Sequence, residues 1–526
     1  MADAAEAWKP KFNPWLIAIV VAMAAFMEVL DTSIANVALP HLAGDLGASN
    51  DESTWVLTSY LVSNAVVLPM SGWLATTFGR KRLFLLCILL FTVTSLLCGI
   101  APSLGMLVLF RVIQGAGGGG LQPMAQAILA DTFPPEKRGL AFALYGITAV
   151  MAPTIGPTLG GFLTDNYSWR WIFYINLPVG VLTLFLVSRM VEDPPYLRAR
   201  RGAGIRVDYI GIALLTLAVG ALQVLLDKGQ EEDWFGSHFI VTLAIVSAVC
   251  FISLVVWELR HEAPVVDVRM FKRFNFAVSS LMMFNLGVLL FASLVTMPQF
   301  LQTLMGYTAQ SAGLVLSGAG VILLFEMPIV GQLTTKIPAK FIMAFGWLCL
   351  AFGMYYSTKR LDLLISFRAA SELRITQAFG LGFLFVPISL AAYIGIPPEK
   401  GNSVSGLVNF MRNIGSSVGT SMVTTLLARR AQFHQSMLSF HATNYDPAFR
   451  NQLSGLSAQL NHAGSSVPDA QVQAYARAYQ SVQIQSQTLA YIDTYMVLAL
   501  AASLMFLLAF VVRKNDPAAR GQAVVE

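Results

Sequence analysis

Long apolar runs, broken by short polar connections, organise this chain. They fall at 15–38, 54–76, 82–101, 104–130, 140–163, 171–190, 208–227, 238–257, 274–299, 311–334, 339–358, 372–396, 403–428 and 488–512. About twenty residues of helix cross a hydrocarbon core, and over that length in lipid a helix satisfies its own backbone polar groups. The pattern predicts an all-α membrane protein of fourteen spans. The first apolar stretch, Trp15 to Leu39 after Lys9 and Lys11, is too long for the core of a cleavable signal and is expected to be retained as a span.

The charges between the runs add a direction. Counted from a cytoplasmic N-terminus, alternate loops hold Lys9 and Lys11; Arg80, Lys81 and Arg82; Lys137 and Arg138; Arg189, Arg198, Arg200, Arg201 and Arg206; Arg260, Arg269, Lys272 and Arg273; Lys336 and Lys340; Lys400; and Arg513, Lys514 and Arg520. The opposite loops before residue 358 hold only Arg170 and Lys228. Basic loops stay cytoplasmic. Both termini are therefore expected in the cytoplasm, which requires an even number of spans. Lys359, Arg360 and Arg368 run against the pattern, in a loop that this topology places outside. The outer loop 429–488 is rich in Gln, Ser and Ala, and its stretch 471–487 can be helical. Two readings of it are open: a solvated, partly disordered excursion, or a docking surface for an extracytoplasmic partner.

Composition agrees with lipid as the solvent. Of 526 residues, 56% are hydrophobic and 12% charged, about half the charged share of a soluble domain. The net charge of +5 sits in short clusters between spans and not in a patch, which excludes a nucleic-acid partner. Cys87, Cys98, Cys250 and Cys349 lie inside apolar runs without metal-ligand spacing, and the six histidines lie in loops or at span edges. Nothing resembles a nucleotide cradle, a metal cluster or a nucleophile–base pair, so no enzyme activity, metal or cofactor is expected.

The chain repeats itself. Pro69-Met-Ser-Gly72-Trp-Leu74 returns as Pro328-Ile-Val-Gly331-Gln-Leu333, and Arg111-x-x-Gln114-x-x-Gly117 returns as Arg374-x-x-Gln377-x-x-Gly380, at nearly the same offset. Two parallel halves follow, a common transporter plan with the substrate site between them near the midplane. The predicted organisation is a six-helix bundle over 1–190, two inserted helices over 191–260, and a second six-helix bundle over 261–526 that carries the outer loop.

Charges inside the spans each cost about 2.5–3.5 kcal/mol at the centre of a bilayer, so each needs a reason. Glu28 and Asp31 lie three residues apart on one face of the first span; either both face an internal cavity and exchange protons as access alternates, or one of them only holds a helix contact by hydrogen bonding. Arg111 either pairs with a first-span acid or braces backbone. Glu326, just before Pro328, is either a cavity acid for cationic substrate or a hydrogen-bonding group. Arg412 is either a cavity residue or a side chain snorkelling to the cytoplasmic interface. Asn36, Gln114, Asn285 and Asn409 join Glu326 and Arg412 as candidate substrate contacts. Gly156-Pro157-x-x-Gly160-Gly161 and the glycines from Gly115 onward suit close helix contacts and a gate.

These motifs together resemble the major facilitator superfamily, and within it the fourteen-span drug:proton antiporters of the EmrB/QacA type. Leu30-Asp31-Thr-Ser-Ile-Ala-Asn36-Val-Ala-Leu-Pro40 is similar to the first-span signature of that group, and Gly72 to Arg82, with Gly79 and Arg80, to its loop motif between spans two and three. Arg111-Val-Ile-Gln114-Gly115 resembles the fourth-span motif linked to proton coupling, and Gly156 to Gly161 the antiporter motif of exporters. Trp169-Arg-Trp-Ile-Phe-Tyr-Ile-Asn176-Leu-Pro178 is a further signature of the fourteen-span group. Thr76 departs from the pattern, which usually has Asp there, so the ion pair of that loop is expected to be absent or built differently.

The resemblance implies proton-coupled efflux of hydrophobic or amphiphilic compounds across the bacterial inner membrane, driven by the proton gradient without a cofactor. It also implies a periplasmic adaptor of the EmrA kind and an outer-membrane channel as partners. The alternatives are an exporter of one endogenous metabolite or lipid, and a membrane-embedded scaffold that transports nothing.

Overall fold

The computed structural model describes residues 10–195, 207–443 and 445–512. Lys9, Arg198, Arg200, Arg201, Arg206, Arg513, Lys514 and Arg520, which carry part of the loop-charge argument, lie outside the described residues.

Helices run back and forth along the whole chain. The N-terminal set is α1 (Pro14–Leu46), the short α2 (Asn50–Ser53), α3 (Trp55–Phe78), α4 (Arg80–Gly99), α5 (Leu104–Thr132), α6 (Arg138–Asn166), α7 (Trp171–Tyr174) and α8 (Asn176–Met190). Two further helices follow, α9 (Tyr209–Lys228) and α10 (His238–Arg260). The C-terminal set is α11 (Phe274–Thr303), α12 (Ala309–Leu333), α13 (Ala339–Arg360), α14 (Phe367–Ala378), α15 (Leu381–Ala392), α16 (Gly401–His441), α17 (Pro447–His462) and α18 (Val467–Ala509). Among the described residues, thirteen helical segments are long and apolar enough to cross a membrane, with α2–α3, α7–α8 and α14–α15 each counted as one. The chain is a multi-pass membrane protein.

The remaining expected span, 403–428, is the first part of α16. It misses the apolar criterion because Asn402, Ser405, Asn409, Arg412 and Ser416 recur along it, and all five are buried against other helices. At the other extreme is α10, whose Ile245, Val249 and Ile252 are each more than half exposed. Such a face is stable only against lipid.

Local chemistry sets the helix ends. Asn13 caps α1 by accepting from the Trp15 N–H at 2.9 Å, and Pro14 occupies the first turn. The α3–α4 turn closes at Gly79 with φ +85°, and α14 breaks from α15 at Gly380 with φ +110°, conformations that disfavour any side chain. Lys359 and Arg360, which ran against the charge pattern, sit in the last turn of α13 and lie over the rings of Tyr355 and Tyr356 at 5.5 and 5.6 Å. Cations are favoured at a helix C-terminus and on aromatic faces. Arg368 pairs with Glu372 one turn along α14 at 3.0 Å. Helix-end and ring contacts account for Lys359 and Arg360, and the Glu372 pair for Arg368.

The segment 429–488, read as either a partly disordered excursion or a docking surface, is helical over most of its length. Helix α16 continues to His441, and α18 begins at Val467, well before its apolar stretch. Between them α17 packs on α18 through Leu453, Leu460, Ala470, Ala474 and Ala478. Asp493 on α18 holds Arg430 and His434 on α16, each at 2.6 Å. Two membrane helices thus project as a helical arm with its own small apolar core.

Glycines set how closely the two halves meet. At the end where Arg80, Arg138 and Lys336 cluster, called here the basic end, a Cβ on Gly72 of α3 would lie 2.7 Å from the Ser403 Cα of α16. A Cβ on Gly331 of α12 would lie 2.9 Å from the Gly139 oxygen of α6. Only glycine allows backbones this close. Replacing Gly72 with Leu should hold α3 off α16. Spin labels placed across the basic end should then shift to longer separations than in the wild type; an unchanged distance distribution would contradict this packing.

Candidate functional site

The first-span acids divide between two environments. Asp31 is 2% exposed. Its Oδ2 pairs with the Arg111 guanidinium at 2.5 Å, and its Oδ1 accepts from Asn176 at 2.7 Å and from Gln114 at 3.2 Å. Arg111 also donates to the Gln114 amide oxygen at 2.8 Å and to the Val56 carbonyl at 3.1 Å, and it stacks 4.2 Å over the Tyr60 ring. Of the two sequence-level readings of Arg111, the ion pair is present and backbone bracing accompanies it. A pair this buried needs further partners to hold; Nε and Nη1 have them, while Nη2 has no hydrogen-bond partner among the described residues and the guanidinium rests on the Tyr60 ring. Asp31 does not line the cavity described next.

Glu28 lies one turn earlier and does line it. Its Oε1 accepts from Asn64 at 2.9 Å and from the Tyr60 hydroxyl at 3.3 Å, and its Oε2 accepts from the Gln122 amide. The Gln122 oxygen in turn accepts from the Arg412 guanidinium and, at 3.2 Å, from the Tyr145 hydroxyl. One carboxamide therefore bridges an acid of the N-terminal half to a cation of the C-terminal half. Arg412 is buried here and does not snorkel. Its position on α16 points it between the halves.

The cavity measures about 420 Å³, within the usual range for a small-molecule site. It extends from the level of Glu28 to the end opposite the basic end, where Asn36, Asp227, Glu231 and Thr424 line it. One wall is polar, with Asn64, Asn413, Ser416 and Ser417. The other is apolar, with Leu286, Leu290, Phe291, Leu294 and Phe385. Beyond its floor, polar contacts join the halves toward the basic end. Asn409 donates to Gln126 at 2.7 Å, and Arg80 pairs with Asp131 at 2.7 Å while donating to Asn402 at 3.4 Å.

That Arg80–Asp131 pair answers the departure at Thr76. The Thr76 hydroxyl donates to the Trp73 carbonyl of its own helix, and the acid comes from the end of α5. The antiporter motif also has a local cause. Pro157 has no N–H for the Pro153 carbonyl, and the Ser33 hydroxyl of α1 donates to that carbonyl at 3.1 Å. Gly156 and Gly160 admit Ser33 and Ile34 of α1, whereas Gly161 has only ordinary contact with Val37. Gly115 lets α5 close on the Tyr60 carbonyl of α3.

Several predicted substrate contacts lie elsewhere. Glu326 is buried but accepts from the Gly380 N–H at 3.0 Å, at the break between α14 and α15. A carboxylate suits that helix start, and Glu326 does not line the cavity. Asn285 donates to the Leu281 carbonyl of its own helix at 3.0 Å; the helical register that turns Leu286, Leu290 and Leu294 inward turns it away. Gln114 belongs to the Asp31 network, and Asn409 to the contacts between halves. Only Asn36 and Arg412 of that set line the cavity, together with Glu28 and Pro157. Asn64, Gln122, Tyr60 and Asn413 were missed as site residues. Their signal was uncharged polarity at mid-span, weaker than charge.

The repeat holds at this level too. Arg374 donates to Gln377 at 3.3 Å as Arg111 does to Gln114, but where the first half has Asp31 it meets the Ser293 hydroxyl at 3.1 Å. Among the described residues no carboxylate lies within ion-pair distance of Arg374.

Comparison with known proteins adds to this geometry. The family model described as Major Facilitator Superfamily matches residues 21–420. The chain is 40% identical over 462 residues to the Multidrug export protein EmrB of Haemophilus influenzae, covering 88% of each. It is 38% identical over 451 residues to the Multidrug export protein EmrB of Escherichia coli (strain K12), covering 85% of this chain and 87% of that one. Among solved structures, the proton:xylose symporter XylE bound to 6-bromo-6-deoxy-D-glucose superposes with a TM-score of 0.59 at 16% identity, over 96% of this chain and 97% of that one. At that identity the likeness is one of fold.

The two acids should differ in what they do for stability. Asp31→Ala leaves the Arg111 guanidinium buried without a counter-ion, a loss of about 3–5 kcal/mol. Glu28→Gln keeps a polar group among polar partners and should cost about 1 kcal/mol. Thermal unfolding in detergent should place Asp31→Ala far below Glu28→Gln; equal midpoints would contradict the division of roles.

Proposed function

Because the chain belongs to the major facilitator superfamily, we propose that it exports hydrophobic and amphiphilic compounds of several kinds in exchange for protons, across a bacterial inner membrane. The observation that carries this reading is the Glu28 carboxyl on the cavity wall, joined through Gln122 to Arg412 of the other half. With both termini cytoplasmic, the basic end faces the cytoplasm and the cavity opens outward. The loop charges support that orientation.

The cycle follows from the bridge. In the outward-open form, cargo leaves and Glu28 takes a proton from outside. Protonation removes the negative charge that strengthens the Gln122 hydrogen bond. Gln122 is then held less firmly, and with it Arg412, so the contacts that seal the cytoplasmic side weaken. The carrier reopens inward, where cargo binding and loss of the proton from Glu28 favour each other. A ligand shifts such an equilibrium only by its differential affinity for the two facings, and both proton and cargo meet that requirement at Glu28. Asp31 and Arg111 act as a fixed pair that holds α1 against α5 while α1 carries Glu28.

The proton gradient drives this cycle without a cofactor, and the chain acts as a carrier, not an enzyme. The apolar cavity wall suits hydrophobic cargo and its polar wall suits headgroups, which supports the amphiphile class. The helical arm projects outward in this orientation, with Met437, Tyr445 and Val472 each more than half exposed. It supports a tripartite assembly in which the arm meets an EmrA-like periplasmic adaptor leading to an outer-membrane channel.

Ethidium uptake into everted vesicles under an imposed pH gradient tests the reading. Wild-type vesicles should accumulate the dye and lose it on addition of an uncoupler. Glu28→Gln should lower gradient-driven accumulation at least about tenfold while dye still exchanges down its own gradient. Gradient-driven accumulation by Glu28→Gln at the wild-type rate would reject Glu28 as the coupling carboxyl.

A further inference from the structure

The two inserted helices do more than lengthen the chain. Helix α9 packs on α3 and on α16, one helix from each half. Gln223 and Ser417 exchange hydrogen bonds at 2.7 and 3.0 Å, the Thr58 hydroxyl donates to Asp227, and Trp234 donates to Thr425 at 3.1 Å. Gln223 and Asp227 stand one helical turn apart on the same face, and both line the cavity.

The charges on the cavity wall decide what this face contributes. The charged residues that line the cavity are Glu28, Arg412, Asp227 and Glu231. Glu28 and Arg412 offset each other through Gln122. Glu231 is held by Lys228 at 2.6 Å, and Lys228 is anchored to the start of α3 by Thr54 and the Asp51 carbonyl. Asp227 is left over. It is exposed to the cavity, its hydrogen-bond partner is a neutral hydroxyl, and the one cation that acts on it, Lys228, is out of ion-pair distance and already holds Glu231, so two carboxylates share one ammonium. Glu28 and Arg412 balance by themselves; α9 and the turn after it add Asp227, Glu231 and Lys228 and so leave one net negative charge, in a space walled by lipid-embedded helices, where a charge acts more strongly than in water.

We propose that α9 is a wall of the transport path and that Asp227 makes the cavity select organic cations over anions of the same shape. This rests on the reading of the cavity as the cargo site and names the charge class of that cargo. Glu28 takes the cation deep in the cavity, and Asp227 attracts it at the mouth.

Tetraphenylphosphonium and tetraphenylborate, nearly equal in shape and opposite in charge, test the proposal. Their affinities for the purified full chain in an uncharged detergent should favour the phosphonium. Asp227→Asn, which keeps a partner for Thr58, should lower the phosphonium-to-borate preference about tenfold; Asp227→Glu should preserve it. Asp227→Ser serves the same purpose where Asp227→Asn aggregates. An unchanged preference in the neutral variants, or tighter borate binding by the wild type, would overturn the proposal. Binding reads it without transport, so vesicles that move no dye beside an intact, Asp227-dependent preference would reject the exporter reading alone.

Discussion

A carboxylate and a guanidinium buried on opposite halves of the molecule share one carboxamide, and the rest of the structure is arranged around that bridge. In lipid neither charge is tolerated alone. Glu28 needs Asn64, Tyr60 and Gln122, and Arg412 needs Gln122, so the helices that carry them must meet at this level. Beyond the bridge toward the basic end the halves are joined by glycine contacts and by the Asn409–Gln126 and Arg80–Asn402 hydrogen bonds. On the other side the cavity lies between the halves, which still touch where Gly313 of α12 meets Thr158 of α6. The state of one carboxyl therefore bears on contacts between halves, which is the requirement for coupling a proton to a change of facing.

The two related halves treat the same motif differently. Arg111 and Arg374 each follow a repeated Arg-x-x-Gln, and each is fully buried. One is neutralised by Asp31; the other meets Ser293 and Gln377. The acid chemistry of the membrane interior is thus concentrated in the N-terminal half, while the C-terminal half supplies Arg412 and most of the apolar wall. The inserted helices break the symmetry again by placing Asp227 on the cavity mouth.

Span positions were legible because apolar length is a physical requirement of the bilayer, and thirteen of the expected spans satisfy it among the described residues. The polar first part of α16 was also found, because its apolar and small residues still recur over a span's length. The helical arm was legible only at 471–487, since a Gln- and Ala-rich stretch shows helix propensity but not the α17 core that pins it. Charged residues stood out singly, but their partners did not. Nothing in the local sequence separates Glu326, which meets a helix start at Gly380, from a cavity acid, because the break between α14 and α15 is fixed by a distant part of the chain. Arg412 was ambiguous for the same reason: its partner Gln122 lies on another helix. Asp31 and Arg111 were paired correctly as one of two readings, and Asn176 was noticed only as part of a motif.

The most direct test of the account is proton release when cargo binds. The purified protein, in weak buffer with a pH indicator, is titrated with tetraphenylphosphonium. The account predicts that the wild type and Asp31→Asn release protons in proportion to the cation bound, and that Glu28→Gln binds the cation without releasing any. Release by Glu28→Gln equal to that of the wild type would contradict it.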